Sequence, residues 1–241
     1  MAFSTNSRMA VIGKTYPKIC PLTRAVYWHY KQWRTEGVIE KLMNVLHGQV
    51  RSSGEKKAKW TTLIIIDSQA VKNTCNASIE TKGFCHYKCT NGIKRHLAVD
   101  SLGLPFFTHC TPANVSDDRG LIELLSNNLD YFRAKPVNIP KITILLDHGY
   151  HPDTIRIALQ QHYPQVMTKL KFQLAPKPTK AEKAAQGKSG FVPVATRWIV
   201  ERSNAWMERC KRRVKNEEAN VSECDGEAQS LFYPIDAQAL S

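Results

Sequence analysis

Two aspartates that follow strongly apolar segments are the first residues in this sequence that could do chemistry. Asp67 ends the segment TTLIIID, and Asp147 ends the segment KITILLD. Continuous apolar runs of this length predict buried β-strands, and α/β proteins gather functional groups at the carboxyl ends of their strands. Two carboxylates held together there would repel each other, and a bound divalent cation would relieve that repulsion. The alternative is that each Asp only begins a turn, which Asp favours.

A third carboxylate lies in the segment RWIVERSNAWMERCKRRVK, which we predict to be helical over about residues 196 to 215. Arg197 and Glu201 are four residues apart and therefore share one face, near which Asn204 and Glu208 also fall. Glu201 could complete a carboxylate trio, with the arginines beside it contacting a substrate phosphate. The alternative, which the residues leave open, is an exposed helix with weak Arg–Glu pairs.

The elements around these residues predict an α/β chain. Residues 94–99 alternate polar and apolar, residues 100–103 supply a turn, and residues 104–110 pair back as a hairpin. Ser116 is a good N-cap for the helix that follows it. A further helix is predicted over 153–162 and a short strand over 165–170. The order strand, hairpin, helix, strand, helix, strand, helix predicts a mixed sheet flanked by helices, the order of the ribonuclease-H-like fold.

The charge of the chain favours a polyanionic partner. Its 241 residues include 34 Lys and Arg against 21 Asp and Glu, a net charge of +13. Such an excess usually faces nucleic acid, although charge that only keeps a protein in solution is the alternative. Part of the excess is clustered, at residues 56–59, at Lys94 and Arg95, and over residues 209–213.

Composition excludes several other classes of protein. The 42% of hydrophobic residues suffice for a core and exceed what a disordered chain contains. No apolar run reaches the roughly 18 residues of a membrane span, and no signal-peptide pattern opens the chain, so we expect a cytoplasmic protein. Seven cysteines without a CxxC pair indicate a reducing compartment. Cys85, His86 and Cys89 form a single cluster of possible zinc ligands. Structural zinc sites usually show two such clusters, so the sequence favours ordinary thiols over a zinc site.

Five ordered motifs resemble the bacterial insertion-sequence DDE transposases. They are DSQAVK (67–72), NGIKRHLAVDSLGLP (91–105), TPANVSDDRG (111–120), LLDHGY (145–150) and RWIVERSNAWMERCKRR (197–213). The closest branch has Asp-Ser-Gln after the first strand and Arg-Trp-x-Val-Glu-Arg on the last helix, and the resemblance covers roughly residues 15 to 215. It implies that Asp67, Asp147 and Glu201 are the catalytic carboxylates and that they hold two Mg²⁺ or Mn²⁺ ions.

The resemblance also implies a substrate and a reaction. Double-stranded DNA at the ends of an insertion sequence would be hydrolysed, and the freed 3′-hydroxyl would attack target DNA, with the protein acting as a homo-oligomer on DNA. The expected DNA contacts, from the resemblance and from the basic cluster, are Lys94, Arg95, Arg197, Arg202, Arg209 and Arg212. Val194 and Glu208 stand where the wider family often has Tyr and Lys, so neither of those roles is transferred.

Three segments are expected along the chain. Residues 1–50 form a helical N-terminal segment, part of a DNA-binding region that is longer in the family; residues 60–216 form the catalytic domain; residues 217–241 form an acidic tail with Pro234. The short N-terminal segment and the tail favour a second hypothesis, a catalytically inactive, truncated transposase remnant that only binds DNA. A third hypothesis is a metal-dependent nuclease of the same fold that cuts without strand transfer.

Overall fold

The computed structural model describes residues 23–53, 60–176, 195–209 and 214–216, with single residues at 218, 221 and 224. The basic segment 177–194, Arg212 and most of the predicted acidic tail lie outside the described residues. The three domain boundaries therefore stay predictions.

Two helices open the described chain, as the sequence predicted. Helices α1 (Thr23–Thr35) and α2 (Val38–Ser53) are separated at Gly37, whose φ of 65° is left-handed. Glycine adopts such a φ without steric cost, so the chain can break and restart there. Met43 of α2 packs into the core of the following domain, which attaches this helix to the sheet.

In the described part of the chain, seven strands form one mixed sheet. They are β1 (Leu63–Asn73), β2 (Gly83–Cys85), β3 (Thr90–Val99), β4 (Pro105–Pro112), β5 (Ile142–Leu146), β6 (Leu170–Leu174) and β7 (Lys215–Asn216). The order is β2-β3-β1-β5-β6, with β4 also paired to β3 and β7 to β1. β3 is antiparallel to β1, β2 and β4, whereas β5 is parallel to β1 and β6. The predicted α/β class with a mixed sheet is confirmed, and it is consistent with a ribonuclease-H-like fold.

Helices cover the sheet on both faces. They are α3 (Asp117–Asn127), α4 (Leu129–Ala134), α5 (Pro152–His162), α6 (Pro164–Met167) and α7 (Ala195–Glu208). Because successive strand residues point to opposite faces, Ile64 and Ile66 pack in one cluster with α3, α4, α5 and α6, while Ile65 packs with α7 in another. Burial on both faces explains the continuous apolar sequence of β1, and each such side chain contributes roughly 1.5–3 kcal/mol.

Two sequence expectations about strands were wrong. β1 does not end at Asp67 but continues to Asn73, because β3 keeps pairing with it as far as Lys72 and Gly92. The strand expected over 165–170 is instead the short helix α6, which begins at Pro164, followed by β6. Proline fits the first turn of a helix, where its missing N–H is not needed.

The predicted hairpin and the Ser116 N-cap are confirmed, the latter by a 3.3 Å bond from the Arg119 N–H to the Ser116 hydroxyl. Within the described residues, no helix combines the length and the apolar character that a membrane crossing needs.

Candidate active site

The sheet places Asp67 and Asp147 on neighbouring parallel strands. The register of β1 and β5 pairs Leu63 with Thr143 and Ile65 with Leu145, a constant offset of 80 positions (143 − 63). The same offset relates Asp67 to Asp147 (147 − 67), although regular pairing stops two residues earlier. The two aspartates therefore lie just beyond the last paired residues of β1 and β5.

Asp67 is held in a poorly hydrated position. The pKa of its carboxyl is raised from 3.8 to about 6, chiefly by burial and to a smaller extent by the negative charge of Asp147, while the backbone N–H of Ser68 and the positive charges of Lys88 and Arg197 oppose the rise. Because Asp147 acts on the pKa of Asp67, the two carboxylates are close enough to repel each other. Burial and the neighbouring carboxylate both favour the uncharged form of Asp67, and a bound cation would oppose both effects.

One face of α7 runs alongside these aspartates. Arg197, Glu201, Asn204 and Glu208 are spaced by four, three and four residues, which aligns them on one side of a helix. Asn204 Nδ2 donates to Asp67 Oδ2 at 2.8 Å, and Gln69 Nε2 donates to Glu208 Oε1 at 2.5 Å. Asp67 and Gln69 share the face of β1 that Ile65 presents to α7, since strand residues alternate. The helix and the strand therefore meet through polar pairs at the site.

Arg197 joins the second and third carboxylates. Its Nη1 donates to Asp147 Oδ1 at 2.7 Å, and its Nε lies 3.5 Å from Glu201 Oε1. The backbone N–H of His148 also donates to Asp147 Oδ1, at 2.7 Å. The single positive charge of the guanidinium thus partly offsets the negative charges of two carboxylates.

The adjacent face of α7 fixes the helix to the sheet. Val200 and Met207 are buried in the core, and the Ser203 hydroxyl donates to the carbonyl of Gly103 at 2.8 Å. Arg202 Nη2 donates to the carbonyl of Leu102 at 2.6 Å. The turn between β3 and β4 therefore receives two hydrogen bonds from the helix that carries Glu201.

Arg202 is further held between two indole rings. Its guanidinium carbon lies 4.9 Å from the Trp198 ring centre and 4.8 Å from that of Trp206. Stacking of this kind adds cation–π attraction to the hydrogen bond with the turn. The structure thus engages Arg202 in holding α7 in place, and its predicted contact with DNA stays a prediction.

The donor atoms at this site are of the kind that magnesium prefers. Asp67, Asp147 and Glu201 offer carboxylate oxygens, and the buried Oδ1 of Asn204 has no hydrogen-bond partner in the part of the chain that the structure describes. Magnesium binds oxygen ligands and often only one or two carboxylates. Across the described ranges, no three His, Cys, Asp or Glu side chains already form a metal cluster. The Arg197 contacts would have to open before Asp147 and Glu201 could share an ion.

Other residues that the sequence suggested for DNA contact are differently placed. Lys94 Nζ donates to the carbonyl of Val115 at 2.6 Å and pairs with Asp117 at 2.9 Å. Arg95 is buried, with 5% of its surface exposed. A phosphate contact at either would require these arrangements to open. Arg209 is exposed, and Arg212 lies outside the described residues; all four assignments stay predictions.

Sequence reasoning did not assign a role to several residues at the site. Asn204 and Glu208 were noted only as neighbours of Glu201 on the helix, although their spacing was the signal that they face it. Lys88, whose Nζ donates to the carbonyl of Ser68 at 3.3 Å, gave no signal, because it lies in a segment without periodicity. Contacts between residues 20 to 139 positions apart can be known only from the fold.

Comparison with known proteins agrees with this arrangement. A Burkholderia cepacia protein that carries the name of a transposase for the insertion sequence element IS402 is 28% identical over 123 residues. The match covers 50% of this chain and 51% of that protein, so the chain spans about half the length of the curated relative that it matches.

The family described as "Transposase DDE domain" matches residues 61–224, which include Asp67, Asp147 and Glu201. The matched segment contains the whole sheet and the helix α7. It covers more than half of the chain, and the chain therefore belongs to the family of DDE transposase domains found in insertion sequences.

Proposed function

We propose that this chain is the catalytic part of a transposase that cuts DNA at the ends of an insertion sequence and joins those ends to target DNA. The observation that carries the proposal is the meeting of Asp67 and Asp147, on neighbouring parallel strands, with the face of α7 that bears Glu201. The net charge of +13 suits a polyanionic substrate.

The carboxylates of Asp67, Asp147 and Glu201 would hold two Mg²⁺ or Mn²⁺ ions. When bound, such ions supply positive charge for a phosphodiester and lower the pKa of a water molecule. The residues of the chain do the rest. Asn204 holds one oxygen of Asp67, and the His148 N–H holds one oxygen of Asp147, so both carboxylates are oriented before any ligand arrives. Such supporting contacts orient metal ligands in general.

Arg197 has a second role in this scheme. Opening its contacts with Asp147 and Glu201 would free the Arg197 guanidinium for a phosphate, which it could bind through two parallel N–H bonds. The residue thus exchanges carboxylate partners for a substrate partner.

The reaction proceeds in two steps of the same form. In hydrolysis, a water oxygen forms a bond to phosphorus and loses a proton, while the bond from phosphorus to the 3′ oxygen breaks and that oxygen takes up a proton. In strand transfer, the freed 3′-hydroxyl oxygen forms a bond to a phosphorus of target DNA and loses its proton, while the 3′ oxygen displaced there takes up a proton. Neither step needs a covalent bond to the protein.

The second candidate is a transposase remnant that binds DNA without cutting it. The observation in its favour is the closed pair of Arg197 with Asp147 at 2.7 Å, which occupies a carboxylate oxygen needed for a cation. If DNA or metal cannot open that pair, the site stays blocked. The third candidate is a nuclease without strand transfer, which differs from the transposase only in the DNA products that it forms.

One assay separates the three. A labelled duplex carrying the terminal repeat of the element is incubated with the protein, target DNA and Mg²⁺ or Mn²⁺, and binding is followed in parallel. Joined products support the transposase; nicks without joining, even from a supplied 3′-hydroxyl end, indicate a nuclease. Binding without nicks indicates the remnant and contradicts the proposal. Asp67→Asn protein serves as the control for contaminating nuclease.

A further inference from the structure

The segment between β1 and β3 reaches the candidate site. It contains β2 and a turn of 3-10 helix, His86–Lys88. Lys88 Nζ donates to the carbonyl of Ser68, the neighbour of Asp67, at 3.3 Å. The Lys88 side chain therefore reaches the segment of β1 that contains Asp67.

Hydrogen bonds hold this turn in one shape. β2 pairs with β3 through Phe84 with Asn91 and Cys85 with Thr90. The Thr90 hydroxyl donates to the carbonyl of Lys88 at 2.8 Å, and the Cys89 N–H donates to the carbonyl of His86 at 3.3 Å. Tyr87, the residue between those two carbonyls, thus lies in a hydrogen-bonded turn at the end of the paired strands β2 and β3.

The ring of Tyr87 is fully exposed. A single exposed apolar residue is ordinary on a protein surface, but this one is carried on a closed turn, follows a second exposed aromatic residue, Phe84, and adjoins Lys88 beside the site. Residues 72–92 contain three lysines against one glutamate, a net charge of +2 (3 − 1). An exposed aromatic ring beside Lys88 offers a flat stacking surface and a phosphate contact together.

We propose that Tyr87 stacks on a nucleobase of the DNA strand that is cut, while Lys88 contacts an adjoining phosphate. The proposal rests on the proposed function, because it places DNA at Asp67. Aromatic side chains stack on bases of any sequence, and lysine neutralises phosphate. Within a duplex both faces of a base are covered by neighbouring bases. Tyr87 therefore selects a base that is unpaired or displaced next to the cleaved bond.

The test compares two DNA ends with the full chain in Ca²⁺, so that binding is measured without turnover. One end is fully paired, and the other has a few unpaired bases at the cleavage position. We expect Tyr87→Ala to weaken binding to the unpaired end about tenfold and to leave binding to the paired end unchanged. Tyr87→Phe should bind both ends with an affinity within about twofold of wild type. Val137→Ala, an exposed apolar residue before the opposite end of β5, is the matched control.

The salt dependence of DNA binding tests the role of Lys88 separately, because base stacking does not affect it. Lys88→Ala is expected to reduce the dependence of binding on salt by about one phosphate contact, whereas Tyr87→Ala leaves the salt dependence unchanged. Both side chains are exposed, so folding of these variants is expected to be normal.

The outcomes separate this inference from the proposed function. If wild type binds and cuts DNA but Tyr87→Ala equals wild type on both ends, base stacking is wrong and the proposed function stands. Equal weakening on the two ends also overturns stacking, because a paired end offers no free base. If wild type neither binds nor cuts, the proposed function itself fails and the inference falls with it.

Discussion

The candidate site is organised by a balance of charge between individual side chains. Asp67, Asp147 and Glu201 contribute three carboxylates, and Arg197 contacts two of them at 2.7 and 3.5 Å. Among the described residues, Asp67 has no such ion pair at contact distance and receives instead an amide hydrogen bond from Asn204. Burial raises the pKa of Asp67 to about 6. A bound cation would stabilise the charged form of this carboxylate.

Asn204 is predicted to position Asp67. Asn204→Ala removes the 2.8 Å bond to Asp67 Oδ2 and the free amide oxygen beside it. Loss of a contact that orients a metal ligand typically costs about 10–100-fold, so the DNA cleavage rate and the affinity for Mn²⁺ should both fall by such a factor. Asn127→Ala, on the exposed side of α3, is the matched control. A cleavage rate and Mn²⁺ affinity equal to wild type would remove Asn204 from the site.

His96 is predicted to make stability depend on pH. It is fully buried, its Nε2 lies 3.1 Å from the Thr111 hydroxyl, and burial lowers its pKa from 6.5 to about 4. Between pH 4 and pH 6.5, the imidazole of His96 therefore stays unprotonated in the folded protein but takes up a proton in the unfolded chain. The free energy of unfolding should be constant above pH 6.5 and fall as pH drops from 6.5 to 4, by about 3 kcal/mol from this group.

Urea denaturation at several pH values measures this effect. Wild type is compared with His96→Gln, which keeps a polar group but has no proton to gain, so the difference between the two proteins isolates the histidine. If the two curves run parallel from pH 7 to pH 4, His96 is not the cause. Gly120 has no Cβ, and one built there would lie 2.1 Å from His96 Nε2, which shows how closely α3 covers this ring.

At the scale of elements, the turn between β3 and β4 connects two helices to the sheet. Asp100 Oδ1 accepts from the N–H groups of Leu102 and Leu104 at 2.8 and 2.9 Å, and its Oδ2 pairs with Arg51 of α2. The same turn accepts the bonds from α7 described above. This turn thus sets the position of α2 and of α7, the helix that carries Glu201.

Asp100 is accordingly predicted to be essential for stability. Asp100→Ala leaves Arg51 buried without its carboxylate, a change that costs about 3–5 kcal/mol in unfolding free energy. Asp130→Ala breaks an exposed pair with Arg133 and should cost well under 1 kcal/mol. Both are measured by urea denaturation with circular dichroism. Equal stability of the two variants would contradict the role given to the turn.

An element could be predicted from the sequence when the interactions that form it lie within a short segment of the chain. The strands β1 and β5 are buried on both faces, so their apolar runs identified them and the aspartates that follow. The Ser116 cap is a contact between residues three apart, and it was predicted correctly. The continuation of β1 through residues 68–73 was not, because that segment is polar and only its pairing with β3 keeps it extended.

At the scale of the whole molecule, the site exists only through distant contacts. Asp67 and Asp147 are 80 positions apart (147 − 67), and Asn204 reaches Asp67 across 137 (204 − 67). The motifs named the three carboxylates, yet neither the Arg197 bridge to Asp147 nor the burial of Arg95 has a signal in the sequence. Both depend on how closely α7 and the sheet pack, which only the folded chain determines.

The central claim is that Asp67, Asp147 and Glu201 act together on a DNA phosphodiester. Its most direct test is nicking of a duplex with the element's terminal repeat, in Mg²⁺ or Mn²⁺, by wild type and by Asp67→Asn, Asp147→Asn, Glu201→Gln and the control Asp130→Asn, with DNA binding measured beside it. We predict that each of the first three substitutions lowers nicking at least about 1,000-fold, as loss of a catalytic unit does, while binding persists and the control cuts like wild type. Nicking that survives any one of the three would contradict the claim.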